Sequence, residues 1–559
     1  MSRFPRRFAA CFLSFAFAAT AAELPRGLDV GSAEVQKLSI GEAIEMMLRN
    51  NLEVQFNRVD MRLEDARTRF AAGVFDPVFK MSLSRESNQI PDLTSDLSTA
   101  QQIALAQAFP EAFADKSVVI FDRDTDRWES SLTFRSPIGT QLAVTARQSK
   151  VRSTFDGDTR DITPFYTAFG GLEVRQPLLK DFGLDANLND IRISKINRKV
   201  AEYTWNKTLQ ENLASVLGNY FDMLFAQADL RVKQDAIAAD QKLVQQNQRR
   251  SEIGFMSPID VQQARAQVSL DEEQLILSKN LFMERQFALR RLITSSSHDS
   301  ANRVYLPVQM SDLTAPPGTR DTYLETAFRM RPDYLAAVTD AEKQDIRLKF
   351  AKNQMYPNLD LVGTYGYNGL DNAWGLSRQD AWHTQAPGWS FGVQFSVPLG
   401  RVQSRAQLDV FKGFKEQAII RIKQSENTVT VDVDTSLSRI ETSRQRLATA
   451  RQTRELNDEA VRIAYRRLEE GQISSFDLIE IQRKMYDAKS RELDAQASLN
   501  KSIVTLWQAT GTVLENLKID VVQGPRKKDL PETVRRPPPI KTVAASKETV
   551  AKPAPAKRK

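Results

Sequence analysis

Residues 254–267 read GFMSPIDVQQARAQ, and residues 471–484 read GQISSFDLIEIQRK. Both stretches place glycine, serine and aspartate at the same spacing, and they begin 217 positions apart (471 − 254). Glycine suits the left-handed position that ends a helix, and serine is a favoured N-cap of the next helix. An acid three residues later complements the helix dipole or reaches back to the cap. The spacing therefore predicts the same tight helical hairpin twice.

Long helical stretches flank both corners. They run roughly over residues 187–253, 257–293, 402–470 and 474–511, with no proline past the first turn of any stretch. A helix of about 65 residues would be about 100 Å long at 1.5 Å per residue. Apolar residues recur every seven positions in the second stretch, which predicts helices packed along their length as a coiled coil. These residues are Val261, Val268, Leu275, Phe282 and Leu289.

The repeated corner belongs to a longer internal echo. IEMMLRNNLEV from Ile44 aligns with LETAFRMRPDY from Leu324, and RFAAGVFDP aligns with KFAKNQMYP at the same offset of 280. Ordered self-similarity of this kind indicates a structural duplication. Each repeat would hold a helix, strands and a long helical hairpin. The predicted domains are a signal peptide at 1–22, a first repeat at 23–293, a linker or equatorial segment at 294–323, a second repeat at 324–519 and a disordered tail at 520–559.

The two chain ends explain the overall charge. A basic start and an apolar run containing Cys11 are typical of a secretory signal. The tail from Gly524 has 11 Lys and Arg against 3 acids, and Arg3, Arg6 and Arg7 add three more positive charges. The formal charge of +7 thus leaves −4 for the rest (7 − 8 − 3), which argues against a nucleic-acid partner. The tail is either a solvated spacer or a segment attracted to an anionic surface such as cell wall.

One predicted strand alternates strictly between two kinds of side chain. Small and polar residues occupy one face of WSFGVQFSV, and no run of 18 apolar residues follows the signal. A lipid-facing barrel strand shows this alternation, but so does a half-buried strand of a soluble sandwich. Six or fewer strands per chain cannot close around a polar lumen, so a barrel would need several chains. The predicted lipid-facing residues are Trp389, Phe391, Val393, Phe395 and Val397.

The corners also carry candidate functional residues. Apolar side chains at the end of a long hairpin have little core to join, so Phe255, Met256 and Ile473 would either dock a partner or pack locally. Asp260 and Asp477 have simple capping as an alternative role. Glu480, one turn beyond Asp477, is not required as a cap. Multiplied by oligomeric symmetry, the two acids would form a ring of negative charge on a channel axis.

Together these residues resemble the TolC-like family of outer-membrane efflux proteins. The resemblance covers residues 38–517 and lies in RNNLEV, MRPDYL, the helix-to-strand prolines, QPLLKDFG and the two Gly-x-x-Ser hairpins. It implies an α+β membrane protein: a homotrimer whose chains share one transmembrane β-barrel in outer-membrane lipid and whose long coiled-coil hairpins form a periplasmic tunnel. It also implies that the tips contact a periplasmic adaptor of an inner-membrane transporter. The implied contact residues are Gly254, Phe255, Met256, Ser257, Gly471, Gln472, Ile473 and Ser474.

The same resemblance implies that Asp477, Glu480 and Asp260 form the periplasmic gate. Some members place Arg where this chain has Ile473, so a latch from that position to Asp260 is not available. The first half also holds more strand-like sequence than the two strands usual in the family, and residues 88–165 contain two candidate strands around SPIGT. This sequence would enlarge the barrel, add a hairpin outside it or form an external loop.

The expected function is a passive export conduit, the outer-membrane exit duct of a tripartite efflux pump or type I secretion system, opened by the adaptor. The alternative is a periplasmic coiled-coil scaffold with soluble β domains. The chain has no P-loop, no Gly-x-Ser-x-Gly motif and two histidines, His298 and His383, so an enzyme is not expected. No cofactor or metal is expected either.

Overall fold

A computed structural model describes residues 34–93, 103, 107, 118–155, 164–296, 303–308, 313–315, 317–383 and 386–519. The predicted signal peptide at 1–22 and the predicted tail at 520–559 lie outside these residues. The chain separates into two compact units, Met1–Val513 and Leu514–Lys559. The second unit is described only to residue 519. It includes the end of the short helix Val513–Asn516.

The first half of the larger unit begins with a strand and two helices separated by one residue, Asn51. The Asn51 side chain caps the second helix by accepting hydrogen bonds from the Glu53 and Val54 N–H groups. Four strands and the first long hairpin follow. The elements are β1 (Glu34–Leu38), α1 (Ile40–Asn50), α2 (Leu52–Ala72), β2 (Val78–Leu93), β3 (Val118–Arg135), β4 (Gln141–Phe155), β5 (Phe165–Pro177), α3 (Leu184–Asn187), α4 (Asn189–Glu252) and α5 (Pro258–Ile293).

The second half repeats this order with fewer strands. Two helices are again separated by one residue, Arg331, whose guanidinium pairs with Asp333 and Asp432. The elements are β6 (Arg303–Pro307), α6 (Arg320–Met330), α7 (Pro332–Asn353), β7 (Asn358–Asp371), α8 (Trp374–Trp382), β8 (Pro387–Ser396), α9 (Val402–Glu469), α10 (Ser475–Thr510) and α11 (Val513–Asn516).

Strands from both halves form one antiparallel sheet of order β2-β3-β4-β5-β7-β8. The halves meet where β5 pairs with β7, and β2 and β8 form the two edges. A separate parallel pair joins β1 to β6, so part of the predicted linker at 294–323 is a strand. Prolines 77 and 398 stand at the helical ends of the two edge strands, where a missing N–H interrupts no sheet ladder.

The helices continue from the sheet as a layer. In this layer α2 packs on α4, α4 on α7 and α7 on α9, while each long hairpin packs its own two arms together. The largest fully buried side chains cluster on α4 and include Tyr220, Phe221, Leu213 and Leu217. None of the helices formed by the described residues is long and apolar enough to cross a membrane.

The α+β fold class predicted from the sequence is confirmed, and the helix ends fall within two residues of the expected ones. One detail differs: the strand β8 ends at Ser396, so Val397 lies outside it. Residues 88–155 include the end of β2 and the whole of β3 and β4. The segment STAQQIALAQAFPEAFA lies outside the described residues except at 103 and 107.

Candidate functional site

The two hairpin corners share one backbone conformation. Gly254 has φ of 78° and Gly471 has φ of 73°, both in the left-handed region that favours glycine. In each corner the next N–H bonds back five residues: Phe255 N–H donates to the Arg250 carbonyl and Gln472 N–H to the Arg467 carbonyl, both at 2.8 Å. This is the Schellman pattern, which satisfies helix-end carbonyls. The sequence prediction of two equivalent tight corners therefore matches the backbone.

The start of α10 has a complete capping box. The Asp477 N–H donates to Ser474 Oγ at 3.2 Å, and Asp477 Oδ2 accepts from the Ser474 N–H at 3.0 Å. These bonds to the carboxylate, from the Ser474 hydroxyl first and its N–H second, lower the pKa of Asp477. Asp477 therefore remains ionised at neutral pH and fixes the first turn of the helix.

The start of α5 is capped differently. Ser257 Oγ accepts from the Ile259 N–H at 3.4 Å, and Pro258 occupies the first helical position. The Asp260 N–H bonds to the Ser257 carbonyl at 3.1 Å, and the capping-box geometry of the second corner is not reproduced. The Asp260 carboxylate supports this corner as an acid in the first turn of the helix.

The apolar residues at the two corners have different surroundings. Phe255 is 83% exposed, with Ile253 and Ile259 exposed beside it. Ile473 instead packs on a buried cluster from all four long helices, and Met256 Sδ lies 3.8 Å from Ser475 Oγ. The structure thus gives local packing to Ile473 and Met256 and leaves Phe255 in solvent. The cluster consists of Leu243, Ala264, Ala464, Leu468, Leu478 and Ile479.

The three acids predicted as a gate lie near the corners but are engaged locally. Asp477 is exposed and occupied by the capping box. Glu480 is half-buried and lies 3.1 Å from the Arg483 guanidinium on its own helix. Asp260 lies on the neighbouring hairpin. Within one chain the Asp477 and Glu480 carboxylates thus bond to residues at the start of their own helix.

A buried polar junction joins the two hairpins above the corners. Asp240 of α4 shares a hydrogen bond with Asp271 of α5, and burial first, then this neighbour, raises the pKa of Asp240 to about 8. Tyr465 of α9 accepts a hydrogen bond from Gln482 Nε2 at 2.5 Å, and burial raises the pKa of Tyr486 on α10. The Tyr486 hydroxyl donates to the Asp235 carbonyl at 3.3 Å. The sequence analysis did not predict this junction. The signal for it is a carboxyl group on a helix face that is otherwise apolar.

Further hydrogen bonds and an ion pair connect the hairpins along their length. Ser490 Oγ donates to Asp229 at 2.5 Å, and Ser475 Oγ donates to Asn247 at 3.1 Å. Near the other end, Lys501 pairs with Asp222 at 2.6 Å. Separating the hairpins would break these bonds as well as the apolar cluster at the corners.

The sheet at the other end has two chemically distinct faces. Trp389, Phe391, Val393 and Phe395 of β8 are each more than 60% exposed and lie on one face. On the opposite face, Arg147 pairs with Glu129 at 3.1 Å and with Glu173 at 2.8 Å across three strands. A sheet with one apolar exposed face and one charged face suits a wall between lipid and water. Val397 lies beyond the strand and is not part of the apolar face.

An amphipathic sheet continued by long helical hairpins defines a class of membrane channel. A family model described as outer membrane efflux protein matches residues 135–295 and 324–512. The chain belongs to the outer membrane efflux protein family. It is a passive channel of the outer membrane that extends into the periplasm, as the sequence predicted, and the scaffold alternative is not favoured.

Individual relatives agree with this assignment. The outer membrane protein TolC of Vibrio cholerae is 24% identical over 334 residues, covering 58% of this chain and 73% of the relative. The toluene efflux pump outer membrane protein TtgC of Pseudomonas putida is 24% identical over 305 residues, covering 54% of this chain and 60% of the relative.

Solved structures show the same fold. The CmeC outer membrane channel of Campylobacter jejuni matches with a TM-score of 0.59 and 16% identity, covering 93% of this chain and 97% of that one. The outer membrane protein VceC of Vibrio cholerae matches with a TM-score of 0.58 and 14% identity, covering 84% and 96%.

Proposed function

We propose that this channel works as a homotrimer, as the exit duct of a tripartite pump whose periplasmic adaptor contacts the hairpin corners. The observation that carries the proposal is that an amphipathic sheet is joined to helices long enough to extend far beyond the membrane. The 64 residues of α4 span about 96 Å at 1.5 Å each. Such a hairpin delivers its corner to a partner in the periplasm.

The open sheet supports assembly of several copies. A single sheet of six strands has two edges, and lipid offers no hydrogen bonds to unpaired edge groups. Closure with strands from sister copies removes both edges and places the apolar face against outer-membrane lipid. The charged face with Arg147, Glu129 and Glu173 would then line a water-filled lumen.

The corners supply a surface for the adaptor. Phe255 and Gln472 are exposed, and the space beside the α-carbons of Gly254 and Gly471 is open. Close approach of another chain to these glycines is therefore unobstructed. Met256 and Ile473 support the corner from inside, while Ser257 and Ser474 cap the helices that follow.

We assign the gate to Asp477 and Glu480, with Asp260 on the adjoining hairpin. Repeated by symmetry, ionised Asp477 would place several negative charges around the periplasmic entrance. The pairing of Glu480 with Arg483 makes it the weaker contributor. Opening is a shift in population toward separated hairpins when an adaptor binds the corners.

Planar-bilayer recording tests the channel and its gate together. Asp477→Asn combined with Glu480→Gln should raise single-channel conductance or reduce cation preference severalfold. The matched control is Glu459→Gln, which removes an acid paired with Arg462 at the same three-residue spacing but farther from the corner. Conductance and selectivity equal to those of the parent in both variants would exclude these acids from the constriction.

Membrane fractionation tests the assembly itself. The trimer should sediment with outer membranes and migrate at a higher apparent mass on gels before heating than after, because heating dissociates it into single chains of 63.2 kDa. A monomer recovered from the periplasmic extract without detergent would contradict the proposed trimer.

A further inference from the structure

The two edge strands of the sheet are suited to pair with each other across copies. Among the described residues, β2 pairs only with β3, and β8 only with β7. The sheet is antiparallel throughout and contains an even number of strands, so β8 of one copy runs antiparallel to β2 of the next. A head-to-tail ring of copies therefore continues the ladder without a parallel pair.

One face of the sheet is apolar on all six strands. The hairpin β2–β3 shares this feature: Phe79 is 65% exposed and Leu83 is 71% exposed, like the residues of β8. The register places the side chains that follow on the same face, which the two-residue repeat of a strand requires. They are Phe79, Met81 and Leu83 of β2, Leu132 and Phe134 of β3, Leu142 and Val144 of β4, Leu172 and Val174 of β5, Leu359, Leu361 and Tyr365 of β7, and Trp389, Phe391, Val393 and Phe395 of β8.

This apolar band is oblique to the hydrogen-bond register. One row of paired residues runs from Phe79 to Trp389, through Leu132, Val144, Leu172 and Tyr365. At the β2 end of the row, the apolar residues extend away from the helices, toward Leu83. At the β8 end they extend toward the helices, to Phe395. The band is level in a membrane only when the strands are tilted.

We propose that β8 of one copy pairs with β2 of the next copy, with Phe395 opposite Phe79, and that a trimer consequently forms a barrel of 18 strands (3 × 6). The proposal rests on the trimer proposed above. It places the hairpin β2–β3 inside the membrane wall, in answer to the three alternatives that the sequence left open for residues 88–165. Strands β2–β5 then all belong to the barrel.

The tilt implied by this pairing agrees with known barrels. Moving from Trp389 to Phe395 along β8 shifts the register by six positions (395 − 389) over six strands. A shift of one position per strand is the ratio found in the barrel of eight strands and shear 8, where strands tilt about 36°. Barrels in general have tilts of about 35–45°. The register shift that makes the apolar band level in the membrane is thus also a shift with which a sheet can close into a barrel.

The same register matches side chains across the seam. On the outer face Phe79 meets Phe395, Met81 meets Val393 and Leu83 meets Phe391, so each apolar residue faces another. On the inner face Ser84 meets Ser390. Cross-strand pairs of this kind stabilise antiparallel ladders.

The helices beside the two edge strands present compatible flanks. The outer helix α2 leads into β2, and β8 leads into the outer helix α9. Phe56 and Phe70 of α2 are 73% and 88% exposed, and Val402 and Val431 of α9 are 74% and 61% exposed. The exposed apolar residues of α2 therefore lie on the same side as the edge strand β2, and those of α9 on the same side as β8. A ring of copies requires this arrangement, because each copy contacts its two neighbours through these two sides.

Cross-linking across the seam tests the register directly. The full chain with Cys11→Ser, Ser84→Cys and Ser390→Cys is treated in outer membranes with a short bifunctional thiol reagent, and products are separated without reduction. We expect a covalent trimer as the main product. The control Ser131→Cys with Ser390→Cys uses β3, which is flanked on both sides, and should give at least tenfold less product.

A second pair represents the competing arrangement. If β2–β3 lay outside the wall, β8 would pair with β4 in a barrel of 12 strands, and matching Phe395 with Leu142 would bring Gln394 opposite Ala143. Strong cross-linking of Gln394→Cys with Ala143→Cys would overturn the proposal. So would the absence of cross-linked product from both cysteine pairs in a trimer recovered from outer membranes. Neither result would contradict the channel function. Recovery of a soluble monomer instead contradicts the proposed trimer.

Discussion

The corners at Gly254 and Gly471 have the same backbone but different side-chain surroundings. Both end a long helix with a left-handed glycine and a Schellman pattern. The second corner adds a capping box and packs the partly buried Ile473 on a cluster from four helices, whereas the first leaves Phe255 83% exposed. Duplication of a hairpin thus preserved the turn, while packing and capping differ between the copies.

Under the proposed contact with an adaptor, this difference implies a division of roles. The second corner would keep its shape through its cap and its apolar cluster, and the exposed Phe255 ring of the first would be the anchor for the adaptor. Interfaces are enriched in such aromatic residues at their centres. A substitution in one corner therefore has its control at the equivalent position of the other corner.

The largest difference between the two hairpins is expected in the pH dependence of stability at Asp240. The equivalent residue of the second hairpin is Asn457 (240 + 217). The facing Asp271 is matched by Ala488 in the same way. Folding raises the pKa of Asp240 from 3.8 to about 8, so the folded state holds a proton that the unfolded state releases. This contribution to stability is fully present below pH 3.8 and is lost as pH rises toward 8. Asp240→Asn should largely remove that loss.

Amide hydrogen exchange of α4 and α5 between pH 5 and pH 8.5, corrected for intrinsic rates, measures the effect. Parent protein should lose local protection as pH rises, because the folded state holds a proton on Asp240 that the unfolded chain releases. The surrounding groups on all four helices, including Asp235, Tyr465, Gln482 and Tyr486, are unchanged in the variant. An equal loss of protection in parent and variant would contradict a protonated Asp240.

The next largest difference is expected between Leu478 and its counterpart Val261 (478 − 217). Leu478 is fully buried in the corner cluster, and Val261 is 7% exposed. Leu478→Ala should lower the local opening free energy by about 2–5 kcal/mol, because the surroundings relax only partly around the cavity. Val261→Ala removes fewer atoms and should cost less. Phe255→Ala should change stability by less than about 0.5 kcal/mol while weakening any partner contact. Equal costs for Leu478→Ala and Phe255→Ala would contradict the packing difference.

The sequence predicted the backbone of these corners but not their environments. Glycine, serine and aspartate act locally, so the turn and the ends of α4, α5, α9 and α10 follow from a few residues. The packing of Ile473 depends on a cluster that includes Leu243 of α4 and Ala264 of α5, which are distant in the chain, and no local pattern distinguishes Ile473 from the exposed Phe255. The interpretation of Asp477 as a cap is confirmed by its hydrogen bonds to Ser474.

The first-half strands were harder to predict for a different reason. In β3 the segment DRDTDRWE places charges on both faces, since Asp124 and Asp126 lie on the face that is apolar nearer the helices. Arg85 of β2 lies 3.4 Å from Asp124 and 3.7 Å from Asp126. The alternation of apolar and polar residues is therefore lost where the strands continue past the apolar band. Only the pairing of residues that are distant in the sequence shows that these strands belong to one sheet.

The two glycines should give equal effects, which tests the shared backbone. Gly254→Ala and Gly471→Ala each force a side chain into the left-handed region, at a cost of about 1–2 kcal/mol. No heavy atom lies within 4 Å of the added methyl group at either position, so contacts should not separate the two variants. Local exchange rates at the two corners measure the cost. A difference above about 0.5 kcal/mol would show that the turns are not equivalent.

The smallest expected difference lies between the two N-cap serines. Ser474→Ala removes an oxygen that accepts from the Asp477 N–H and should cost about 1 kcal/mol, whereas Ser257 makes a longer bond of 3.4 Å to Ile259 and should cost less. The lowered pKa of Asp477 means that its contribution is present above pH 3.8 and is lost as pH falls below that value. The gap between the two substitutions, measured by exchange at the first turns of α10 and α5, should therefore narrow in acid. If the difference in cost between the two substitutions does not change with pH, it comes from the serine hydroxyl as acceptor alone. The bonds that Ser474 donates to the Asp477 carboxylate would then contribute nothing to it.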